Sequence, residues 1–369
     1  MLQSKEAELA RLIKNPEELR PDDSRISISP GLAPWMLQHR ASLAFTSYQT
    51  GQLVLAGVGP DGRLSFNEQN YARAMGLCWN EGRLFVGSMF QIWRLENMLK
   101  IGQFAQNAFD LALVPRTANT VGYVDAHELT VDRADRLIFV NSRYSCLATF
   151  DERHSFRPLW KPKFVSDLAP EDRCHLNGVA SDAGVPRLVT ALAATDVKEG
   201  WRDRREAGGV LMDVKSGEIV SDGLSMPHSP RVHDGTAWLL DSGRGNGVRV
   251  DLGSGSTEPV AFCPGFLRGL AFHEGFAIVT VSKAREGGFR GLPLQAELEK
   301  RGLDAWCGVL IIDLSTGAIK EWIRYEGKVT EMFDVAVLPG VRNPMSVGPA
   351  TVEMIGAVSV ADSWAALNG

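Results

Sequence analysis

A strand–turn–strand unit recurs along this chain, and such a repeat constrains the fold more tightly than any single motif. Its clearest copy spans residues 309–322, Val-Leu-Ile-Ile-Asp-Leu-Ser-Thr-Gly-Ala-Ile-Lys-Glu-Trp. Other copies run over 52–66, 210–220 and 248–255, with weaker ones at 91–99 and 146–159. The other half of the repeat, an apolar strand following a pivot, is also sixfold. The pivots are Met75-Gly76, His127-Glu128, Asn177-Gly178, Pro230-Arg231, Arg268-Gly269 and Phe333-Asp334. Their separations of 52, 50, 53, 38 and 65 residues lie near the ~40–50 residues of a propeller blade once inserted loops are allowed.

Alternating apolar residues between Gly- and Asp-containing turns suit a four-stranded antiparallel blade that packs on a neighbour at each face. The expected fold is therefore all-β, a six-bladed β-propeller; the competing reading is a β-sandwich with a second domain. The sixth innermost strand, near residues 333–338, has no partner strands after it, whereas candidate strands at 42–47, 52–58 and 63–66 precede the first innermost strand. If those N-terminal strands complete the last blade, both ends clasp the ring and no long edge is exposed. The chain then divides into an N-terminal helical or extended segment (1–40), the propeller (41–340) and a C-terminal tail (341–369). Helix is expected at 5–14, a short N-terminal helix, and at 294–301.

Composition narrows the partners. A net charge of −5 gives no support for nucleic-acid binding or for attraction to a membrane surface. No run reaches the ~18 apolar residues of a membrane helix. Five cysteines stand singly, without a CxxC pair, as in a cytoplasmic protein with reduced thiols. A small-molecule ligand is the expected partner.

Propeller geometry places the loop before each innermost strand, and the loop between second and third strands, on one face of the central channel. Asp125, His127, Glu128, His175, Asn177, His228, Arg231, Arg268, Glu331 and Asp334 fall in the first set, and Tyr144 and Arg244 in the second. His127, His175 and His228 occupy corresponding places in consecutive blades. Imidazoles converging on one axis can ligate a metal or transfer protons near neutral pH. Two long loops, 194–209 and 283–308, carry further arginines and Trp201 and Trp306. Guanidinium forks suit carboxylate, phosphate or sulfate groups.

Leu176-Asn-Gly-Val179, Pro227-His-Ser229 with Trp238-Leu-Leu-Asp-Ser242, and Met75-Gly-Leu-Cys-Trp79 with Leu84-Phe-Val-Gly87 resemble six-bladed propellers of the gluconolactonase and regucalcin type, distantly akin to strictosidine synthase. The chain as a whole also resembles a bacterial family of conserved proteins without an assigned function. The lactonase resemblance implies an axial divalent cation, usually calcium, held by a Glu, an Asn and an Asp. Asn177 matches the Asn, but Met75 stands at the Glu position and His228 at the Asp position. His127-Glu128 falls on a substrate-contacting Asn-Asp pair of that family. Calcium, which prefers six to eight oxygens, is therefore disfavoured, while zinc or iron on His127, His175 and His228 is an alternative.

The expected function is an enzyme, a hydrolase, lyase or isomerase, acting on a small polar, anionic metabolite. His127, Glu128, His175 and His228 form the catalytic set. Asp125, Tyr144, Asn177, Arg231, Arg244, Arg268, Glu331 and Asp334 form the substrate-binding set. The alternative is a non-catalytic propeller serving as a ligand-binding or protein-interaction platform.

Overall fold

A computed structural model describes residues 25–284 and 288–361. Six sheets carry the fold, with two α-helices among the described residues. Blade one orders β5 (Leu77–Asn80), β6 (Arg83–Gly87), β7 (Gln91–Asn97) and β8 (Leu111–Thr120) from the inside out. Blade two is β9 (Ala126–Val131), β10 (Leu137–Asn141), β11 (Cys146–Thr149) and β12 (Arg157–Trp160). Blade three is β13 (Leu176–Asp182), β14 (Val185–Ala191), β15 (Gly209–Asp213) and β16 (Ile219–Leu224). Blade four is β17 (Pro227–His233), β18 (Thr236–Asp241), β19 (Asn246–Val250) and β20 (Thr257–Phe262). Blade five is β21 (Phe266–His273), β22 (Phe276–Ser282), β23 (Gly308–Asp313) and β24 (Ile319–Glu326), with β1 (Arg25–Ile28) added antiparallel outside β24.

The sixth blade is built from both ends of the described chain. Its innermost strand, β25 (Val335–Pro339), pairs antiparallel with β2 (Ala41–Ser47), which is followed by β3 (Gln52–Val58) and β4 (Leu64–Asn70). The anticipated closure by N-terminal strands is the one observed. The helix expected at 5–14 lies outside the described residues. A short helix not foreseen from the sequence, α1 (Leu32–Gln38), precedes β2, and α2 (Pro293–Arg301) falls where helix was expected. Part of the tail is structured: β26 (Pro344–Ser346) adds a parallel strand beside β8.

Position in the blade explains which strands read as unbroken apolar runs. β10 (Leu-Ile-Phe-Val-Asn) is buried throughout, because both faces of a middle strand meet neighbouring blades. Outer strands such as β12 and β20 are largely exposed. The Asp-x-x-x-Gly turns also have a local cause. Oδ1 of Asp213, Asp251 and Asp313 accepts backbone N–H groups of the following turn, at 2.7–2.8 Å. Each turn closes on a left-handed glycine, as at Gly255 (φ 75°) and Gly317 (φ 71°), a conformation that glycine adopts without a Cβ penalty.

Closure rests on packing as well as on the strand ladder. Phe45 of β2 is fully buried, edge-on to Tyr325 at 6.2 Å, in a core shared by blades five and six. Phe45→Ala should therefore cost about 3–5 kcal/mol, seen as a lower urea midpoint for the whole protein. A midpoint within error of the parent would show that the clasp does not limit stability.

Candidate functional site

At one mouth of the central channel lies a cavity of about 810 Å³. His127, His175 and His228 line it, together with Asp125, Arg268 and Glu331. A chamber of about 10 Å³ lies on the axis beside it, lined in part by Glu128, Asn177 and Asp334 and sharing His127, His228 and Arg268 with the larger cavity. Arg231 pairs with Glu128. The remaining two expected residues are placed away from the cavity. Tyr144 packs edge-on to Phe156 at 5.0 Å, and Arg244 bonds Asp241 (2.8 Å) and the Gly223 carbonyl (3.0 Å).

The three histidines are not strictly equivalent. The residues immediately before β9, β13 and β17 are Asp125, His175 and Met226, all left-handed (φ 55°, 49° and 51°). His127 and His228 stand two residues after that turn, and Asn177 holds the same place in blade three. His175 therefore enters from the turn and His127 from the strand, and this offset brings their rings together.

Hydrogen-bond chemistry fixes the orientation of each ring. His127 Nδ1 lies 2.9 Å from the Asp125 carbonyl, and His228 Nδ1 lies 2.9 Å from the Met226 carbonyl. A carbonyl only accepts, so both Nδ1 atoms donate, and each neutral ring keeps a lone pair on Nε2. Ser142 and Ser242 hydroxyls flank the same two Nδ1 atoms at 2.9 and 3.1 Å. His175 Nδ1 meets Asp172 Oδ1 at 2.7 Å, while Asp172 Oδ2 accepts the Trp201 indole N–H at 3.1 Å. Trp201 is tilted against the His175 ring at 4.5 Å. His127 Nε2 and His175 Nε2 are 3.2 Å apart. Two lone pairs cannot face each other at that distance, so a hydrogen or a cation lies between them. Burial lowers the His127 pKa to about 4, despite the opposing charge of Asp125. Burial, followed by the Arg268 charge, lowers that of His228 well below the ordinary imidazole value. Among the described residues, no three His, Cys, Asp or Glu side chains form a group suited to holding a metal ion.

Sequence reasoning did not single out Asp172, although its spacing of three residues from His175 was a usable signal. It also missed Phe333, which touches His127 edge-on at 5.4 Å, stacks with Tyr48 at 5.6 Å and lies under the Arg268 guanidinium at 5.3 Å. Only the fold juxtaposes those residues.

Around the axis the second pivot residues alternate: Gly76, Glu128, Gly178, Arg231, Gly269 and Asp334. A Cβ on Gly76, Gly178 or Gly269 would stand 2.6, 2.2 or 2.7 Å from atoms of the next blade. The innermost strands approach so closely that only alternate blades can project a side chain. Glu128 Oε2 accepts Val179 N–H (2.7 Å) and Oε1 pairs with Arg231. Arg231 Nε donates to Leu270 O (2.8 Å), and Asp334 Oδ2 accepts Leu77 N–H (2.7 Å). Burial raises the Glu128 pKa against the pull of Arg231. Burial and then the Glu128 charge raise that of Asp334 to about 7. For Arg231, burial opposes the charge, but Glu128 and Asp334 outweigh it and raise the pKa.

A family model described as a domain of unknown function (DUF4915) matches residues 30–347. No curated protein matches the chain. Among solved structures, the crystal structure of a nidogen/laminin complex matches with a TM-score of 0.52 and 11% identity, over 81% of this chain and 99% of that one. A catalytically inactive virginiamycin B lyase from Staphylococcus aureus with quinupristin gives a TM-score of 0.40 and 9% identity, over 83% of this chain and 100% of that one. The first likeness bears on the fold alone, and the second is too distant to bear on either fold or chemistry. Among the described residues, no helix is long and apolar enough to cross a membrane.

The raised Asp334 pKa has a definite consequence for stability. Between about pH 4 and pH 7 the folded protein retains a proton that the unfolded chain has lost, so stability falls as pH rises through that window. Relative to Asp334→Asn, the parent protein should lose about 3–4 kcal/mol between pH 4 and pH 7 and level off about one pH unit above that. Parallel stability–pH curves from chemical denaturation would rule out this titration.

Proposed function

The chain belongs to the DUF4915 family, a domain of unknown function, and from the chemistry of its pocket we propose that it is an enzyme that moves protons on a small anionic metabolite. The observation carrying this reading is the 3.2 Å Nε2–Nε2 contact between His127 and His175. Asp172 anchors it on one side and the Asp125 carbonyl on the other.

Neutral His127 accepts at Nε2. The hydrogen between the rings then belongs to His175, whose Nδ1 donates to the Asp172 carboxylate and whose ring rests on Trp201. A substrate entering the cavity can receive that proton from His175 and return one to His127 Nε2. A hydrolase, lyase or isomerase needs such a paired acid and base. Arg268, beside both His127 and His228, suits an anionic group or a developing oxyanion. Glu128, Arg231 and Asp334 support the floor by joining the blades, and Asn177 lines the chamber beside it.

The same anchoring of Nδ1 also favours a second use of the histidines. Metal-ligating imidazoles are typically held through their other nitrogen in this manner. Although no three described side chains form a ready metal group, His127 and His175 would be the residues to hold zinc or iron, which would supply Lewis-acid chemistry there. Elemental analysis of untagged protein separates the two readings. Acid–base use predicts less than about 0.1 equivalent of transition metal and no gain on reconstitution, whereas about one equivalent would make the histidines ligands.

Incubation with a metabolite extract, read by mass spectrometry, tests the enzyme reading. The parent protein should consume at least one anionic metabolite. His175→Ala and His127→Ala should slow that consumption by about 10²–10⁴-fold, with the folded state verified by circular dichroism. Equal consumption by parent and variants would sink the role of the histidines, and no consumption by the parent would favour a non-catalytic platform acting through the rim loops 194–209 and 283–308.

A further inference from the structure

Most apolar side chains of the cavity are gathered on one half of the ring. Blades six, one and two present Tyr48, Arg73, Tyr123 and Arg143. The Arg73 guanidinium lies over Tyr48 at 4.1 Å, and that of Arg143 over Tyr123 at 5.2 Å. Blades three, four and five present Leu192, Trp201, Met226, Phe266, Phe289 and Leu292, alongside the charged Arg202, Asp203, Arg205, Lys283 and Arg290 of their loops. Three consecutive blades of six form half the ring, so the tyrosine-backed arginines face a wall that mixes these apolar side chains with charged loop residues.

Most of the apolar wall belongs to the loops rather than to the cores between blades. Leu192 and Trp201 pack in a small cluster with Met226 nearby, while Phe266 and Phe289 pack with Leu294 and Leu298 of α2. The two long loops meet where Arg205 Nη2 donates to the Arg290 carbonyl at 3.5 Å. Some charges on this side are occupied within their own loop: Arg202 pairs with Glu199 and stacks on Trp201, and Arg205 Nε donates to the Arg202 carbonyl. An insertion serving only a solvated rim has no need to bring Trp, Phe and Leu side chains to a cavity wall.

Arg268 brings a positive charge to the floor between the walls. Arg268 lies over both Phe266 (5.2 Å) and Phe333 (5.3 Å), where the apolar half meets the histidines. Asp125 and Glu331 stand on the same cavity, and over its whole described lining seven Lys and Arg side chains stand against five Asp and Glu. A volume of about 810 Å³ exceeds what a compact metabolite fills and lies in the upper range for ligand pockets (~300–1,000 Å³).

We propose that this pocket takes an amphipathic monoanion, an acid whose charged head lies beside Arg268 and whose apolar body lies against the loop-built wall of blades three to five. The inference deepens the enzyme reading and rests on it for the chemistry at the head group, but binding itself requires no turnover.

Calorimetry with acetate, butanoate and octanoate, at equal pH and ionic strength, tests it. Affinity should rise about two- to fourfold for each added methylene, and octylammonium should bind at least tenfold more weakly than octanoate. Leu292→Asp should flatten the dependence on chain length while leaving butanoate affinity within about twofold, and Met226→Gln serves the same purpose if the first variant misfolds. Arg268→Gln should weaken butanoate and octanoate by the same factor. No gain from butanoate to octanoate, or tighter binding of citrate than of octanoate, would overturn the proposal. Chain-dependent binding with histidine variants that still consume the same metabolites would defeat only the enzyme reading. Histidine-dependent turnover of a compact acid without octanoate binding would defeat only this one.

Discussion

The propeller depends on a single antiparallel pairing, that of β2 with β25. The four principal strands of every other blade come from one continuous stretch of chain and find each other locally, with β1 and β26 added only at the outer edges of blades five and one. The sixth joins residues almost 300 positions apart: Ala41 faces Pro339, and Phe45 faces Val335. Without that pairing β25 is a lone strand, and blades one and five each expose an apolar face. The loop-closure entropy of bringing the ends together grows only slowly with length, while the packing gained covers two blade faces at once.

Closing the ring forces the innermost strands together at the axis, and this crowding dictates what can stand there. Glycine in blades one, three and five leaves room for one side chain from each of blades two, four and six. Those side chains are Glu128, Arg231 and Asp334. Their bonds reach Val179 in blade three, Leu270 in blade five and Leu77 in blade one, so a charged hub touches every blade. One guanidinium between two buried carboxylates cannot fully compensate both, and Asp334 is left poised near neutrality. Buried ionic groups of this kind cost more to break than to replace whole by apolar residues.

Above the hub the repeat is abandoned. Long loops from blades three and five lean over the mouth and bring it Trp201, Phe289 and Leu292 among charged neighbours, opposite the tyrosine-backed arginines. Asp172 enters from the connection between blades two and three to hold His175, and the offset between the two left-handed turns sets His127 and His175 ring to ring. The strand framework supplies rigidity and the irregular connections supply chemistry, the common division between scaffold and loops.

The sequence by itself determined the ring. Six pivots, six turn motifs and unpaired strands at both ends were readable because blade spacing, strand alternation and Asp-to-Gly turns are local properties, set within a few tens of residues. It also named several residues of the mouth, among them Asp125, His127, His175, His228, Arg268 and Glu331, since the strand each one precedes fixes the face on which it lies. It did not separate those that line the large cavity, such as His127, His175 and Arg268, from those at the axial hub, such as Glu128 and Asp334. Adjacent residues in a strand point opposite ways, so His127 and Glu128 part company although nothing in their order announces it. Tyr144 and Arg244 lay on the expected loops but were drawn to Phe156 and Asp241. The tertiary structure alone decided those outcomes, together with the Asp172–His175–His127 chain and the apolar wall, because each depends on side chains from different blades meeting at distances of a few ångströms.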